Sequence, residues 1–202
     1  MSQHLIDWSN NLYPSLIENI NVILEHIPDN GVLFDIGANT GVITDYVIRS
    51  KPNVKAYLFE PVKEFSDFCK DKFSNNPNVT VENRALSDVN GYCKVNMNGS
   101  NLGFNQIEPV EHSEIMTQTI STYVWNKQIP RIDFIKIDVE GHECQVLRGL
   151  FRYLDSTCRR PTILCEVGWH TEDEAAMFQT FERSYDYEMV RLDKDVLLKQ
   201  KI

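Results

Sequence analysis

The chain has 202 residues, 42% of them hydrophobic, enough for one sizeable core and too many for a disordered polypeptide. Its 20 Lys+Arg stand against 29 Asp+Glu, a formal charge of −9, and such a surface argues against nucleic acid and anionic membranes as partners. The five cysteines, at 69, 93, 144, 158 and 165, form no CxxC pair, so neither a disulfide framework nor a zinc site is expected.

The N-terminus, "MSQHLIDWSNNLYPSLIENI", has no basic start and no continuous apolar block. The expectation is therefore no signal peptide, no membrane anchor and a cytoplasmic location. Leu12, Leu16, Ile20, Ile23 and Ile27 recur at helical spacing, which predicts an amphipathic helix over 9–27, capped at Ser9 and interrupted near Pro14. This makes residues 1–30 an N-terminal helical segment. "VLFDIG" (32–37) reads as a strand and 40–50 as a helix, with Thr40 near its start. "VKAYLFE" (54–60) predicts a second strand, 61–76 a second helix, and "NVTVENRAL" (78–86) a third strand. Residues 87–120 break the alternation. They are rich in Asn, Gly and Ser, with strands expected at 92–98 and near 115–120, and read as an insert near one end of the sheet. A short helix is expected over 120–128, a fourth main strand over 131–141 and a helix over 142–155. A fifth strand follows at 161–169, then a helix over 171–184 capped by Thr171. The segments 187–192 and 196–202 would close the sheet as an antiparallel pair. Strands alternating with helices of this length imply right-handed βαβ units, hence an α/β, doubly wound and mostly parallel sheet with an antiparallel C-terminal strand. The whole of 1–202 is expected to be one domain.

Ligands in such sheets bind outside the carboxyl ends of the strands, where strand order reverses. The turn after the first strand reads Asp35-x-Gly37-x-x-x-Gly41 rather than Gly-x-Gly-x-x-Gly. A phosphate-binding turn relies on bare amides at a helix N-terminus and gains nothing from a carboxylate. The acidic turn instead suits a cationic ligand, or one that offers hydroxyl and amino donors. Gly37 would permit a sharp bend, and Gly41 a close start for the helix. Glu60 ends the second strand ahead of Pro61 and is placed to accept both hydroxyls of a ribose. Together these residues describe a pocket for a nucleoside with a positively charged tail, such as S-adenosylmethionine.

"IDFIKIDVEGHECQVLRG", with "FDIGANTG", "YLFEPVKEF", "NRALSDVNG" and "PTILCEV" in this order, resembles the FkbM-type S-adenosylmethionine-dependent methyltransferases over roughly residues 31–168. The resemblance implies a class I methyltransferase, Rossmann-like fold and O-methylation of a small hydroxylated acceptor: a sugar, glycan or natural product. It also implies a cofactor site at Asp35, Gly37, Ala38, Asn39, Gly41, Glu60 and Pro61. Ala85 and Leu86 would lie along the adenine, and Asp138 beside the methionine part. One departure is visible: the family's Thr-Leu-Asp stands here as Thr119-Ile120-Ser121.

Strand alternation predicts that Lys136, Asp138 and Glu140 share a face, a costly arrangement unless the charges are paired or functional. A Lys136–carboxylate pair and Glu140 and Glu143 near a helix N-terminus would serve structure. Asp138 and Glu140, at the carboxyl edge, are read as functional. Glu166 ends the fifth strand, with Trp169 and His170 just beyond. Candidate catalytic groups are thus Lys136, Asp138, Glu140, Glu166 and His170, with His142 as a further candidate base. No metal ligand is assigned, although Asp138, Glu140 and Glu166 offer hard oxygens to a magnesium ion as a lesser alternative. Three competing functions are an RNA ribose 2′-O-methyltransferase, disfavoured by the acidic surface, a non-catalytic cofactor-binding subunit, and a nicotinamide-dependent dehydrogenase. The last lacks the three-glycine phosphate turn.

Overall fold

The computed structural model describes residues 5, 7, 10, 13–97, 105–167 and 172–201. Ser9, Leu12, Trp169, His170 and Thr171, each given a role above, lie outside the described residues.

Helix α1 (Pro14–His26) begins at its proline, because the residue before a proline is pushed to extended backbone, as Tyr13 is. Ile20 and Ile23 are buried. Strand β1 (Val32–Ile36) is buried along its whole length, the mark of a central strand covered on both faces. The alternating units then follow: α2 (Val42–Ser50), β2 (Lys55–Phe59), α3 (Lys63–Lys72) and β3 (Val79–Glu82). The small strands β4 (Arg84–Leu86), β5 (Gly91–Met97), β6 (Asn105–Val110) and β7 (Ile115–Gln118) precede α4 (Ile120–Lys127). The chain continues with β8 (Phe134–Ile137), α5 (Glu143–Arg148), α6 (Phe151–Thr157), β9 (Thr162–Glu166) and α7 (Glu172–Ser184). It ends on β10 (Tyr187–Arg191) and β11 (Asp195–Gln200).

The main sheet has the order β10-β11-β9-β8-β1-β2-β3. Neighbours from β9 to β3 pair in parallel, and β11 runs antiparallel between β9 and β10. Strand order reverses between β1 and β8, so the carboxyl ends of these two strands form the crevice where such a fold binds ligands. Alternation sorts the side chains between two cores. Phe34, Ile36, Ile135 and Ile137 pack with Tyr123, Leu147, Leu150, Leu154 and Phe181, from the α4–α7 side. Leu33, Leu58 and Phe134 pack with Ile23, Ile43, Val47 and Phe73, from the α1–α3 side. The expected α/β, doubly wound, mostly parallel sheet is the observed one. Among the described residues no helix is long and apolar enough to cross a membrane.

Four local expectations are corrected. The predicted third strand over 78–86 is two strands in different sheets, split at Asn83, whose side-chain amide donates to the carbonyls of Glu60 and Pro61 at 2.9 and 3.0 Å. The segment 87–120 carries β6 besides its two expected strands, and β4, β7, β5 and β6 form a second, four-stranded sheet. The predicted helix 142–155 breaks into α5 and α6, because the backbone at Gly149 packs against Ser87 so closely that a Cβ there would lie 2.1 Å from the Ser87 carbonyl oxygen. The fourth main strand ends at Ile137 rather than 141.

Ser121, which stands where the FkbM-type pattern has Asp, is a structural tie. Its hydroxyl donates to the Gly149 carbonyl at 3.0 Å and accepts the Tyr153 amide at 2.9 Å, in full burial. Thr119 caps α4 instead, accepting the Thr122 amide at 3.1 Å. Ser121→Ala should lower unfolding stability by about 0.5–1.5 kcal/mol, read by chemical denaturation, since the two hydroxyl bonds are lost while the Tyr153 amide keeps the Leu150 carbonyl.

Candidate active site

A cleft of about 1110 Å³, counted to its solvent-open mouth, lies at the carboxyl ends of β1, β2 and β8. Its wall is the β1–α2 turn, where Gly37, Ala38 and Asn39 line the space. Gly37 sits at φ +75°, and a Cβ there would come 1.8 Å from the Asp138 carbonyl oxygen. Glycine is thus required twice over, by backbone angle and by the approach of the neighbouring strand end. Gly41, also predicted to line the site, does not. It starts α2 at φ +66° and faces Phe73 and Cys69 of the α3 side, where a Cβ would meet the Phe73 ring at 2.8 Å.

Asp35 likewise stands behind the wall. Its Oδ2 accepts the Thr44 hydroxyl at 2.7 Å, and its Oδ1 lies 3.6 Å from Lys136 Nζ. Asp35 and Lys136 are register partners on adjacent parallel strands, which is why their side chains meet. The Lys136 ammonium, 3% exposed, also donates to the Gly37 carbonyl at 2.9 Å and pairs with Asp138 at 3.2 Å. Burial opposes its charge, but Asp138 and Asp35 outweigh it and hold the ammonium protonated, above its usual range. Its cation is fully engaged.

Glu60 lines the cleft and is 5% exposed. Its two oxygens accept the Asn39 and Val62 amides, each at 2.8 Å, so it staples the β1 turn to the β2 turn. Burial pushes it up to about 7, against the pull of those amides. Ala85 and Leu86, on β4, and Pro61, just beyond β2, also line the cleft.

The loop after β8 does not continue the strand. Glu140 adopts a left-handed φ of +54° and Gly141 +97°, wrapping the loop around Glu143, whose Oε1 accepts the Val139 and Gly141 amides at 3.1 Å. It is this turn, rather than strand alternation, that brings Glu140 back beside Asp138. With Glu166 at the end of β9 they form a cluster in which one carboxyl oxygen from each lies within 4.8 Å of the others. Burial, then the charge of Asp138, raises Glu166 well above the carboxylate range. The same two causes push Glu140 up to about 7. Such a set of hard oxygens has the chemistry to hold a divalent cation, with Lys136 already supplying positive charge at Asp138. His142 also lines the cleft, its Nε2 2.9 Å from the Ser87 hydroxyl, and burial holds it below the usual histidine range.

Several lining residues escaped the sequence reading as site residues, among them Tyr13, Leu16 and Ile107. The first two come from α1 and its cap, the third from β6. Nothing in their local pattern marks them out; only the tertiary placement of α1 and the small sheet does.

A sequence model of the methyltransferase FkbM domain matches residues 35–189. The hexuronic acid methyltransferase AglP of Haloferax volcanii is 30% identical over 141 residues, covering 68% of this chain and 57% of that protein. The methyltransferase sdnD of Sordaria araneosa is 25% identical over 170 residues, covering 63% of each. The chain therefore spans less than two thirds of the length of these curated relatives. Among solved structures, an O-methyltransferase from Bacillus cereus, in complex with SAH, superposes with a TM-score of 0.60 at 10% identity, over 97% of this chain and 88% of that one. Its agreement is one of fold.

The engagement of Lys136 gives a direct test. Lys136→Met should cost about 3–5 kcal/mol of unfolding stability, because it leaves Asp35 buried beside Asp138 without a cation. A denaturation midpoint equal to that of the wild type would refute this.

Proposed function

The chain belongs to the FkbM methyltransferase family, and we propose that it transfers a methyl group from S-adenosylmethionine to a hydroxyl oxygen of a small, sugar-like acceptor. The observation that carries this reading is the convergence of three parallel strand ends on one cleft whose charged groups are chiefly carboxylates. Support for a sugar-like acceptor comes from the Haloferax relative, whose name assigns it hexuronic acid.

The residues present suit the cofactor. A carboxylate has about four acceptor positions and Glu60 uses two on amides, leaving one on each oxygen for a ribose diol. Gly37, Ala38 and Asn39 would carry the methionine end, with Asp138 near its amino group. Ala85 and Leu86 would flank the adenine. Asp35 and Gly41 belong to the site as supports that shape the turn from behind. When bound, S-adenosylmethionine supplies an electrophilic methyl on a sulfonium.

The protein's part is alignment and proton removal. Holding the acceptor oxygen in line contributes roughly 7–11 kcal/mol of barrier reduction, and a positioned base about 10²–10⁴-fold in rate. Glu140 suits the base: it lines the cleft and, at about 7, loses its proton near neutrality. Glu166, raised further by burial and Asp138, stays protonated there; its one O–H is shared with Asp138, and its remaining acceptor capacity suits a second hydroxyl of the acceptor. Lys136 positions Asp138 rather than reacting. We read 1–202 as one catalytic domain in which the second sheet, through Ile107 and the Gln106 side chain bonded to the Glu140 carbonyl at 3.2 Å, walls the acceptor side.

Calorimetry with S-adenosylhomocysteine should show binding, weakened roughly 10- to 100-fold in Glu60→Ala as charge-assisted hydrogen bonds are lost. No heat at millimolar ligand would remove the proposal. With an acceptor in hand, kcat should rise with pH through about 7 as Glu140 ionises. Glu140→Gln should lower kcat by about 10²–10⁴ and abolish that limb. An unchanged profile in the variant assigns the base elsewhere.

A further inference from the structure

The acceptor end of the cleft has a lopsided chemistry. Asp138 and Glu140 line it, a Glu166 oxygen lies within 4.8 Å of theirs just behind the lining, and Tyr13 lines the same cleft from the cap of α1. The position of Tyr13 is fixed from further along the helix. Ile20, Ile23 and Ile27 are buried in the core, and Asn19 hydrogen-bonds Asp195, which is the register partner of Glu166 across β11 and β9. The helix therefore lies beside the strand end that carries Glu166. Burial and then the charges of Asp138, Glu166 and Glu140 raise the Tyr13 hydroxyl, as expected of a phenol facing that cluster. The residue is nevertheless 49% exposed, so much of its surface remains open.

Among the described residues, the basic groups of the cleft are committed elsewhere. Lys136 is bound to Gly37, Asp138 and Asp35, and His142, held low by burial, is neutral near pH 7. A ligand carboxylate at this end would meet the Asp138 carboxylate and, as pH rises through about 7, that of Glu140, and like charges brought together across an interface strongly suppress binding. Sugar hydroxyls instead donate to carboxylates, and the C–H face of a pyranose is an apolar surface that an open aromatic ring can cover.

We infer that the acceptor subsite takes a neutral or amino-bearing sugar ring, laid against Tyr13 and hydrogen-bonded through its hydroxyls to Glu140 and Glu166, and that it disfavours a uronic acid. The inference rests on the methyltransferase reading and narrows its substrate class. Tyr13 is the specificity-determining contact contributed from outside the parallel sheet.

The test titrates protein saturated with S-adenosylhomocysteine, by calorimetry, with methyl glucoside, methyl glucosaminide and methyl glucuronide at tens of millimolar. The first two should bind, and the glucuronide at least ~10-fold more weakly. Glu140→Gln should narrow that gap. Tyr13→Ala should weaken the two bound probes about 10-fold and S-adenosylhomocysteine by clearly less, which a loss of fold would not do. Equal or tighter binding of the glucuronide overturns the inference. So does the failure of all three probes to bind a protein that does bind S-adenosylhomocysteine. Failure of S-adenosylhomocysteine itself to bind overturns the methyltransferase reading, and the inference with it.

Discussion

A single ammonium, that of Lys136, sits where the two strands at the order reversal of the sheet come to their carboxyl ends. It reaches the side chain of Asp35 on β1, the carbonyl of Gly37 just beyond β1 and the side chain of Asp138 just beyond β8. Burying a charge is costly unless attraction and hydrogen bonds offset the loss of water, and here three oxygens do so. The consequence is geometric. The turn after β1 and the loop after β8 are pulled to one point, so closely that the Asp138 carbonyl occupies the space a side chain at position 37 would need. The cleft takes its shape from that convergence, and Glu60 extends it to β2 through the Asn39 and Val62 amides.

Much of this scaffold was legible in the sequence because it is written in local periodicity. The alternation of Leu33 and Phe34, or of Phe134 and Ile135, sorts into two opposed cores as a doubly wound sheet demands. The strand-end carboxylates Asp35 and Glu60 were legible for the same reason: polar residues closing apolar runs have few bland explanations when they recur on neighbouring strands. What was not legible depends on partners far away in the chain. Asn83 splits a continuous β-like stretch because its amide finds the carbonyls of Glu60 and Pro61, and Gly149 breaks a helix because Ser87 packs onto it. Neither contact leaves a mark within a ten-residue window. Gly41 shows a subtler limit. A glycine was needed there, but for a left-handed helix start and the Phe73 ring rather than for a ligand.

The same distinction applies to Glu140. Strand alternation put it on a face with Lys136 and Asp138, and it does stand beside Asp138, yet the strand has ended by then. A left-handed turn held by Glu143 does the work that the pleat was expected to do. Tyr13 had no local cue at all. Its place at the cleft follows from the docking of α1, whose buried isoleucines lie one turn or more beyond it.

Hydrogen bonding separates the acids of this region into two kinds. Glu60 and Glu143 each receive two backbone amides, and Asp35 receives a hydroxyl and faces an ammonium. Their oxygens hold turns in place, and moving them during a reaction would disturb the fold. Glu140 and Glu166 are different. Among the described residues no backbone amide is bonded to either carboxyl, and burial with the neighbouring Asp138 raises both, as burial raises Glu60, so each holds its proton at a pH where an ordinary carboxyl has lost it. A group poised in this way changes its charge readily when a ligand replaces the surrounding water, which is what proton transfer to or from an acceptor requires. Acids that build the cleft and acids free to react in it thus stand a few residues apart in the chain, and what distinguishes them is the number of fixed donors each one already serves.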